Sequence, residues 1–223
     1  MHYSVINILS DVMVVLDQNN SSLPLLVEGD SDTLNLYEII ESKICEAVQR
    51  VHMEAPVSLF NDCNIMSLQD PENHVWYEDG RLGIILHEDF MRLITFQMAS
   101  WERPVHDVIT PADPLYAKQF SRYKGIRGNK QKPVCAITID QNADKVLEVF
   151  SPRDGDDTVL AGLYIEYPKF IDDSVTGEVL VDIASRCYKS VIYMIAALVA
   201  TAYGDTEKSA TLVELSKTSM ASA

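Results

Sequence analysis

The feature that most constrains the fold is an apolar run near the end of the sequence, residues 186–203. Between Val191 and Ala200, every residue except Tyr193 is aliphatic, methionine or alanine. A helix that is apolar all round is either buried on most sides or spans a membrane. A span needs roughly 20 apolar residues, and this run is shorter. We therefore expect the central helix of a globular domain, with the other helices packed around it.

Composition favours one large domain, or one domain with an insertion. The chain has 223 residues, of which 47% are hydrophobic and 23% are charged, so a sizeable core is available. The formal net charge of -15 disfavours general affinity for nucleic acid. Cys45, Cys63, Cys135 and Cys187 have no CxxC spacing, which favours reduced thiols. We see no signal peptide, and expect synthesis in the cytoplasm without a membrane partner.

Hydrophobic periodicity predicts several helices besides the central one. Their predicted ranges are 4–16, from caps at 30–33 to Pro56, 88–101, 113–120, and 206 to about 217. Acidic residues at 88–89 suit the start of the third of these helices, and Pro104 would stop it. Residues 218–223 are small and polar, so we expect them to be mobile.

Turn residues and β-rich runs predict two groups of strands. Asp79-Gly80 lies between apolar runs, which is typical of a hairpin, here over 74–86. Runs at 134–139, 146–150 and 160–167 predict an antiparallel meander. The predicted fold class is therefore α+β: a small helical bundle around a buried C-terminal helix, with a β-hairpin and a β-rich insertion. We expect a single domain over 1–223, with the insertion at 134–167.

One basic segment interrupts the acidic sequence. Five cations fall within eleven positions without an intervening acid: Arg122, Lys124, Arg127, Lys130 and Lys132. The segment either contacts phosphates or an acidic partner surface, or is a solvated loop whose cations pair with nearby carboxylates. Its Gly-Ile-Arg-Gly sequence also matches the GxxG loop of KH modules, although Pro133 and a β-rich run follow where that module has a helix.

No catalytic signature is recognisable in the sequence. It contains no P-loop, dinucleotide fingerprint, nucleophile elbow or paired metal-binding histidines. The acidic clusters do not follow calcium-loop spacing. We therefore expect no catalytic residues, no metal, no cofactor and no enzymatic activity. A hydrolase whose nucleophile and base meet only in space stays open as an alternative.

Four stretches carry a resemblance to a known family. They are DTLNLYEIIESKICEAVQRVHMEAP at 32–56, LHEDFMRLITFQMASWERPV at 86–105, DPLYAKQFSRYKGIRGNKQKPVCAI at 113–137, and RCYKSVIYMIAALVATAYGDTEKSATLVELSK at 186–217. Together they contain 102 of the 223 residues and are distributed between residues 32 and 217. The sequence resembles head-tail connector proteins of tailed bacteriophages, also called adaptor or ring proteins. In these stretches its amino-acid sequence particularly resembles the first ring protein below the portal in crAss-like phages.

The resemblance implies a structural role in the neck of the virion. Such proteins form a dodecameric ring under the portal protein, extend the channel through which genomic DNA passes, and offer a docking face to the next tail or ring protein. The family has no catalytic residues. Its C-terminal helix often embraces the portal, which here implies a docking element containing Thr206, Leu212, Leu215 and Lys217. The alternative function is a nucleic-acid-binding module that uses the basic loop at 122–132.

Overall fold

The computed structural model describes residues 1–16, 35–60, 65–123, 125–152, 157–174 and 176–222. Within these residues the chain forms five α-helices and three antiparallel sheets, which confirms the predicted α+β fold class. The chain divides into two compact units. We call them the helical unit, Met1–Asn64 with Pro168–Ala223, and the sheet unit, Ile65–Tyr167.

The secondary structure has the following bounds in chain order. The helices are α1 Val5–Leu16, α2 Leu36–Glu54, α3 Pro114–Gln119, α4 Tyr188–Ala202 and α5 Thr206–Ala221. The strands are β1 His2–Ser4, β2 Ile65–Ser67, β3 His74–Trp76, β4 Leu82–Ile85, β5 Phe90–Met98, β6 Val134–Ile139, β7 Lys145–Phe150, β8 Val159–Glu166, β9 Phe170–Asp172 and β10 Val179–Asp182. None of the described helices is both long and apolar enough to cross a membrane.

Helix α4 is the centre of the helical unit, as its apolar sequence predicts. Nine of its 15 residues are buried. It packs against α5, α2 and α1. The alanines among its buried residues leave room for these neighbours to approach closely. A bond from the Ser216 hydroxyl to the carbonyl oxygen of Ser190, 2.8 Å long, ties α5 to α4.

The first two helices of this unit also follow their sequence patterns. Helix α1 buries an apolar stripe that includes Ile8 and Val12. Helix α2 begins with a capping box, because Asn35 and Glu38 each accept a hydrogen bond from the other's backbone N–H, at 2.9 and 3.0 Å. The caps predicted at 30–33 lie outside the described residues, and the helix begins after Asn35 instead.

Helix α5 is longer than predicted. It runs to Ala221, so residues 218–221 of the segment expected to be mobile are helical. The reason is a buried stripe at helical spacing, formed by Leu212, Ser216 and Met220. Met220 is only 8% exposed and fixes the last turn. The sequence reasoning stopped at Lys217 because the residues beyond it are mostly small and polar.

The sheet unit contains two antiparallel sheets that share a buried core. One sheet has the order β3-β4-β7-β6 and the other β2-β8-β5. Both contribute to one buried cluster, to which Leu82, Leu147, Phe96 and Tyr164 belong. Each sheet therefore buries apolar side chains against the other in a common core. The β-rich insertion predicted at 134–167 forms the C-terminal part of this larger unit.

Strand β5 corrects the helix predicted at 88–101. It pairs with β8 and is broken by three register shifts, which are β-bulges or irregularities. Each bulge interrupts the alternation of a strand, so buried Phe90, Leu93 and Phe96 fall three residues apart and imitate a helical stripe. The β-branched and aromatic content of this segment favours a strand, and pairing with β8 outweighs the apparent period.

The strand pairing also corrects the predicted meander. Strands β6 and β7 do pair as a hairpin, but β8 pairs with β2 and β5 in the other sheet. The segment between β7 and β8 is too long for a tight hairpin. A long segment does not by itself predict that β8 pairs in the other sheet. The hairpin predicted over 74–86 is confirmed as β3 and β4, with Gly80 at a φ of +82° in the turn.

Candidate functional site

A cleft in the sheet unit gathers part of the basic segment. Its cavity volume is about 950 Å³. Among the residues that line it are Arg81, Gln119, Phe120, Arg127, Lys130 and Phe150. We call it the basic cleft. They come from separate parts of the sequence, and the fold of the sheet unit brings them together.

The described cations of the basic segment do not all line the basic cleft. Arg127 and Lys130 line the basic cleft and are both exposed. Arg122 and Lys132 are exposed as well but do not line it, and the Arg122 guanidinium lies 5.6 Å from the centre of the Tyr123 ring. Lys124 lies outside the described residues. The structure thus assigns two of the cations to the cleft.

The loop that carries these two cations is held by hydrogen bonds. The Gly128 N–H donates to Oε1 of buried Gln119 at 2.7 Å. The Ser151 hydroxyl donates to the carbonyl oxygen of Gly128, and the Arg127 Nε–H donates to a backbone carbonyl of the same loop. The Lys130 carbonyl oxygen accepts from the Glu102 N–H at 2.9 Å. The positions of both cations are therefore set by the fold of the sheet unit.

Gly128 is the tightest point of this loop. A Cβ added there would lie 2.9 Å from Val134 Cγ2 and 3.2 Å from Gln119 Oε1. We therefore expect Gly128→Ala to lower the free energy of unfolding of the sheet unit by about 1–3 kcal/mol, because the neighbours must move. Urea denaturation followed by tryptophan fluorescence measures this. Gly125→Ala is the matched control, since nothing lies within 4 Å of its added Cβ. Equal stability of the two variants would contradict the packing described.

Arg81 lines the cleft, but neighbouring carboxylates compensate the charge of its guanidinium group. Its guanidinium donates to Asp79 Oδ2 at 2.7 Å and to Glu148 Oε1 at 3.1 Å. It also lies 4.9 Å from the centre of the Phe120 ring. The Tyr116 hydroxyl donates to the other oxygen of Glu148 at 2.9 Å. Burial and this hydrogen bond raise the pKa of Tyr116 to about 12. The charge of Arg81 is therefore already compensated by the carboxylates of Asp79 and Glu148.

Arg127 and Lys130 differ from Arg81 in their lack of a carboxylate partner. In the described part of the chain, no Asp or Glu oxygen lies within 4.0 Å of either side-chain charge. The aromatic ring of Phe120, 48% exposed, lies on the same cleft. The cleft thus presents two available cations beside an exposed apolar ring, which is a chemistry suited to a carboxylate or phosphate ligand.

One hydroxyl–carboxylate pair adjoins the cleft. The Ser100 hydroxyl donates to Asp157 Oδ2 at 2.6 Å, and the Ser100 N–H donates to Oδ1 at 3.1 Å. Asp157 thereby holds both the backbone and the side chain of Ser100. None of the described residues that line the cleft is a histidine. Both oxygens of Asp157 are thus already engaged with Ser100, and the pair accounts for the local loop geometry.

The C-terminal element is only partly exposed. Thr206, Leu215 and Lys217 are exposed on α5, whereas Leu212 is 5% exposed and belongs to the core of the helical unit. The sequence reasoning grouped Leu212 with the docking residues because its apolar character does not say which face it occupies. Leu215, 43% exposed, is the apolar side chain of this group that a partner can reach.

The structure brings together residues that the sequence reasoning did not connect. In the cleft these are Arg81 and Phe150, which come from strand ends far from the basic segment. Elsewhere in the sheet unit, His87, Asp89 and Glu166 place one ligand atom each within 4.8 Å of one another. Glu166 pairs with Phe90 across β8 and β5, a non-local contact without a signal in the sequence. All three side chains are at least partly exposed, where acidic groups are common without an ion.

Comparisons with known proteins do not assign this chain to a family. No known protein family matches the sequence, and no curated protein matches it.

Proposed function

We propose that this chain is a virion structural protein, a connector ring that attaches under the portal of a tailed bacteriophage and extends the DNA channel to the tail. The resemblance of the four stretches described above supports this role. The structural observation that carries the proposal is the set of apolar side chains that the described helices of the helical unit leave exposed.

These exposed side chains lie on three different helices. Ile6 and Val14 on α1 are 66% and 56% exposed, Tyr37 on α2 is 43% exposed, and Leu215 on α5 is 43% exposed. A closed ring of identical copies needs two different patches on each copy, which meet between neighbours. A portal-binding surface is a further requirement. Apolar residues on several faces of one small unit supply such patches.

The charge of the chain is consistent with a lining for a DNA channel. With a net charge of -15, the surface of the chain repels the phosphate backbone overall. DNA would then slide through the ring instead of adhering to it.

Electron microscopy of this protein mixed with the portal protein of the same phage tests the proposal. We expect a ring added to one face of the portal, with the copy number of the portal. The proposal fails if purified virions lack this chain, or if the folded protein leaves the portal bare.

The C-terminal element gives a sharper test of portal binding. We expect Leu215→Asp to weaken binding to the portal by about tenfold or more, because it places a charge where an apolar side chain would be buried. Leu160→Asp is the matched control, since Leu160 is 58% exposed in the sheet unit. Surface plasmon resonance with immobilised portal gives both affinities. If the two variants bind alike, α5 is not the docking element.

A further inference from the structure

We propose that the basic cleft of one copy receives an acidic hairpin of the adjacent copy, so that neighbours in the ring join head to tail through opposite charges. The acidic hairpin consists of β9, β10 and the turn between them, and carries Asp172, Asp173 and Glu178. This inference rests on the proposed ring and names the contact that closes it.

The cleft is suited to a discrete acidic segment more than to nucleic acid. Affinity for nucleic acid grows with the number of phosphates that a protein neutralises. Among the described residues that line the cleft, Arg127 and Lys130 are the cations without a carboxylate partner. Arg81 is already paired with Glu148 and Asp79. Two cations beside the Phe120 ring match a short segment with carboxylates and one apolar side chain.

The acidic hairpin presents that chemistry. Phe170 is 43% exposed, and Asp172 is exposed two residues further along β9. Side chains two residues apart lie on the same face of a strand, so this ring and this carboxylate project together. Neither Asp172 nor Glu178 has a cationic side chain within 4.0 Å in the described part of the chain.

Backbone hydrogen bonds hold the described residues at the end of the hairpin, and its charged side chains are accessible. The Asp173 N–H donates to the carbonyl oxygen of Glu178 at 2.9 Å, and the Gly177 N–H donates to that of Asp173 at 2.8 Å. The order of the sheet is β1-β10-β9, so among the described strands β9 lies at the edge of its sheet. A preorganised hairpin loses little conformational entropy when it binds.

A second copy is the occupant that the charges favour. Identical chains with a net charge of -15 repel each other, so they associate where opposite charges meet. The cleft and the hairpin belong to different units of the chain. Each copy therefore offers both surfaces, and a contact between different patches is what a closed ring requires.

Charge reversal of the two surfaces tests the contact in the full-length chain. The cleft reversal is Arg127→Glu with Lys130→Glu, and the hairpin reversal is Asp172→Lys with Glu178→Lys. We expect each reversal to weaken ring formation on the portal by about tenfold or more, as measured by native mass spectrometry. The variant that combines all four changes should regain the ring, because the charges are again opposite.

The basic loop supplies a matched control. Arg122→Glu with Lys132→Glu changes the net charge by the same amount in the same loop but outside the cleft, and should assemble like the wild type. Because Arg127 also bonds the backbone of its loop, circular dichroism must confirm that the cleft reversal is folded. The hairpin reversal leaves that loop intact, so its result decides if the cleft reversal unfolds.

Three outcomes would overturn the inference. If wild type and both reversals form equal rings, the cleft contact is wrong and the connector proposal stands. If the reversals keep the ring but the cleft reversal abolishes salt-sensitive binding of a single-stranded oligonucleotide, the cleft is a nucleic-acid site. If wild type itself forms no ring on the portal, the connector proposal fails first, and with it the contact between copies.

Discussion

Replacing Ile195 with alanine is expected to lower the free energy of unfolding of the helical unit by about 2–5 kcal/mol, the usual range for removing a large buried aliphatic side chain. Ile195 is 0% exposed and lies in the middle of α4. This helix packs against α1, α2 and α5, so the cavity would lie at the centre of the unit. Because the surrounding helices can relax only partly, a cavity is expected to remain.

The two units allow the effect to be localised. Urea denaturation followed by far-ultraviolet circular dichroism reports mainly the helices, and four of the five described helices belong to the helical unit. Both tryptophans, Trp76 and Trp101, lie in the sheet unit. We therefore expect Ile195→Ala to shift the midpoint measured by dichroism.

An exposed isoleucine supplies the control for this prediction. Ile6 is 66% exposed on α1, so Ile6→Ala should change the free energy of unfolding by less than about 0.5 kcal/mol. A loss from Ile195→Ala as small as that from Ile6→Ala would mean that α4 is not the buried centre of its unit.

The sequence was sufficient where the determining interactions are local. The central helix, the first helix and the hairpin over 74–86 were each predicted from a pattern contained within the element itself. For α4 the decisive signal is an apolar run too short to span a membrane. For the hairpin it is Asp79-Gly80, because glycine readily adopts the positive φ found at Gly80.

Prediction failed where pairing between distant segments decides the outcome. Strand β5 shows helical spacing of its buried residues, and only pairing with β8 makes it a strand. Strand β8 in turn belongs to the opposite sheet from β7, although it follows β7 in sequence. Neither the strand conformation of β5 nor the sheet to which β8 belongs can be predicted from a local hydrophobic period. Both depend on which strand lies alongside.

The same distinction between local and non-local interactions applies to the candidate site. The sequence identified the basic segment, and the structure places Arg127 and Lys130 from it in a cleft. It did not identify Gln119, whose side chain fixes the loop through Gly128, because a single glutamine in a short helix carries no recognisable signal. It also did not show that Arg81 is neutralised by Glu148, a contact between β-segments far apart in the chain.

Acidification is expected to destabilise the helical unit through His52. This side chain is 2% exposed, and its Nε2 accepts a hydrogen bond from the Ala184 N–H at 3.4 Å. Burial lowers the pKa of His52 from 6.5 to about 4, although the nearby charge of Asp182 acts in the opposite direction. In the unfolded chain the imidazole has its ordinary pKa and binds a proton more readily. The stability contribution is therefore complete above pH 6.5 and is lost as the pH falls towards 4.

The size of this effect follows from the two pKa values. The full loss is about 3 kcal/mol, and about 2 kcal/mol of it should appear between about pH 7.5 and about pH 5. Urea denaturation at these two pH values, followed by circular dichroism, measures the change.

His52→Gln retains a hydrogen-bond acceptor but cannot bind the proton, so its stability should fall by about 2 kcal/mol less over the same interval. His2→Gln removes an exposed histidine of the same unit and should follow the wild type. If His52→Gln also follows the wild type, His52 does not control the acid sensitivity, and its imidazole is not held neutral by burial.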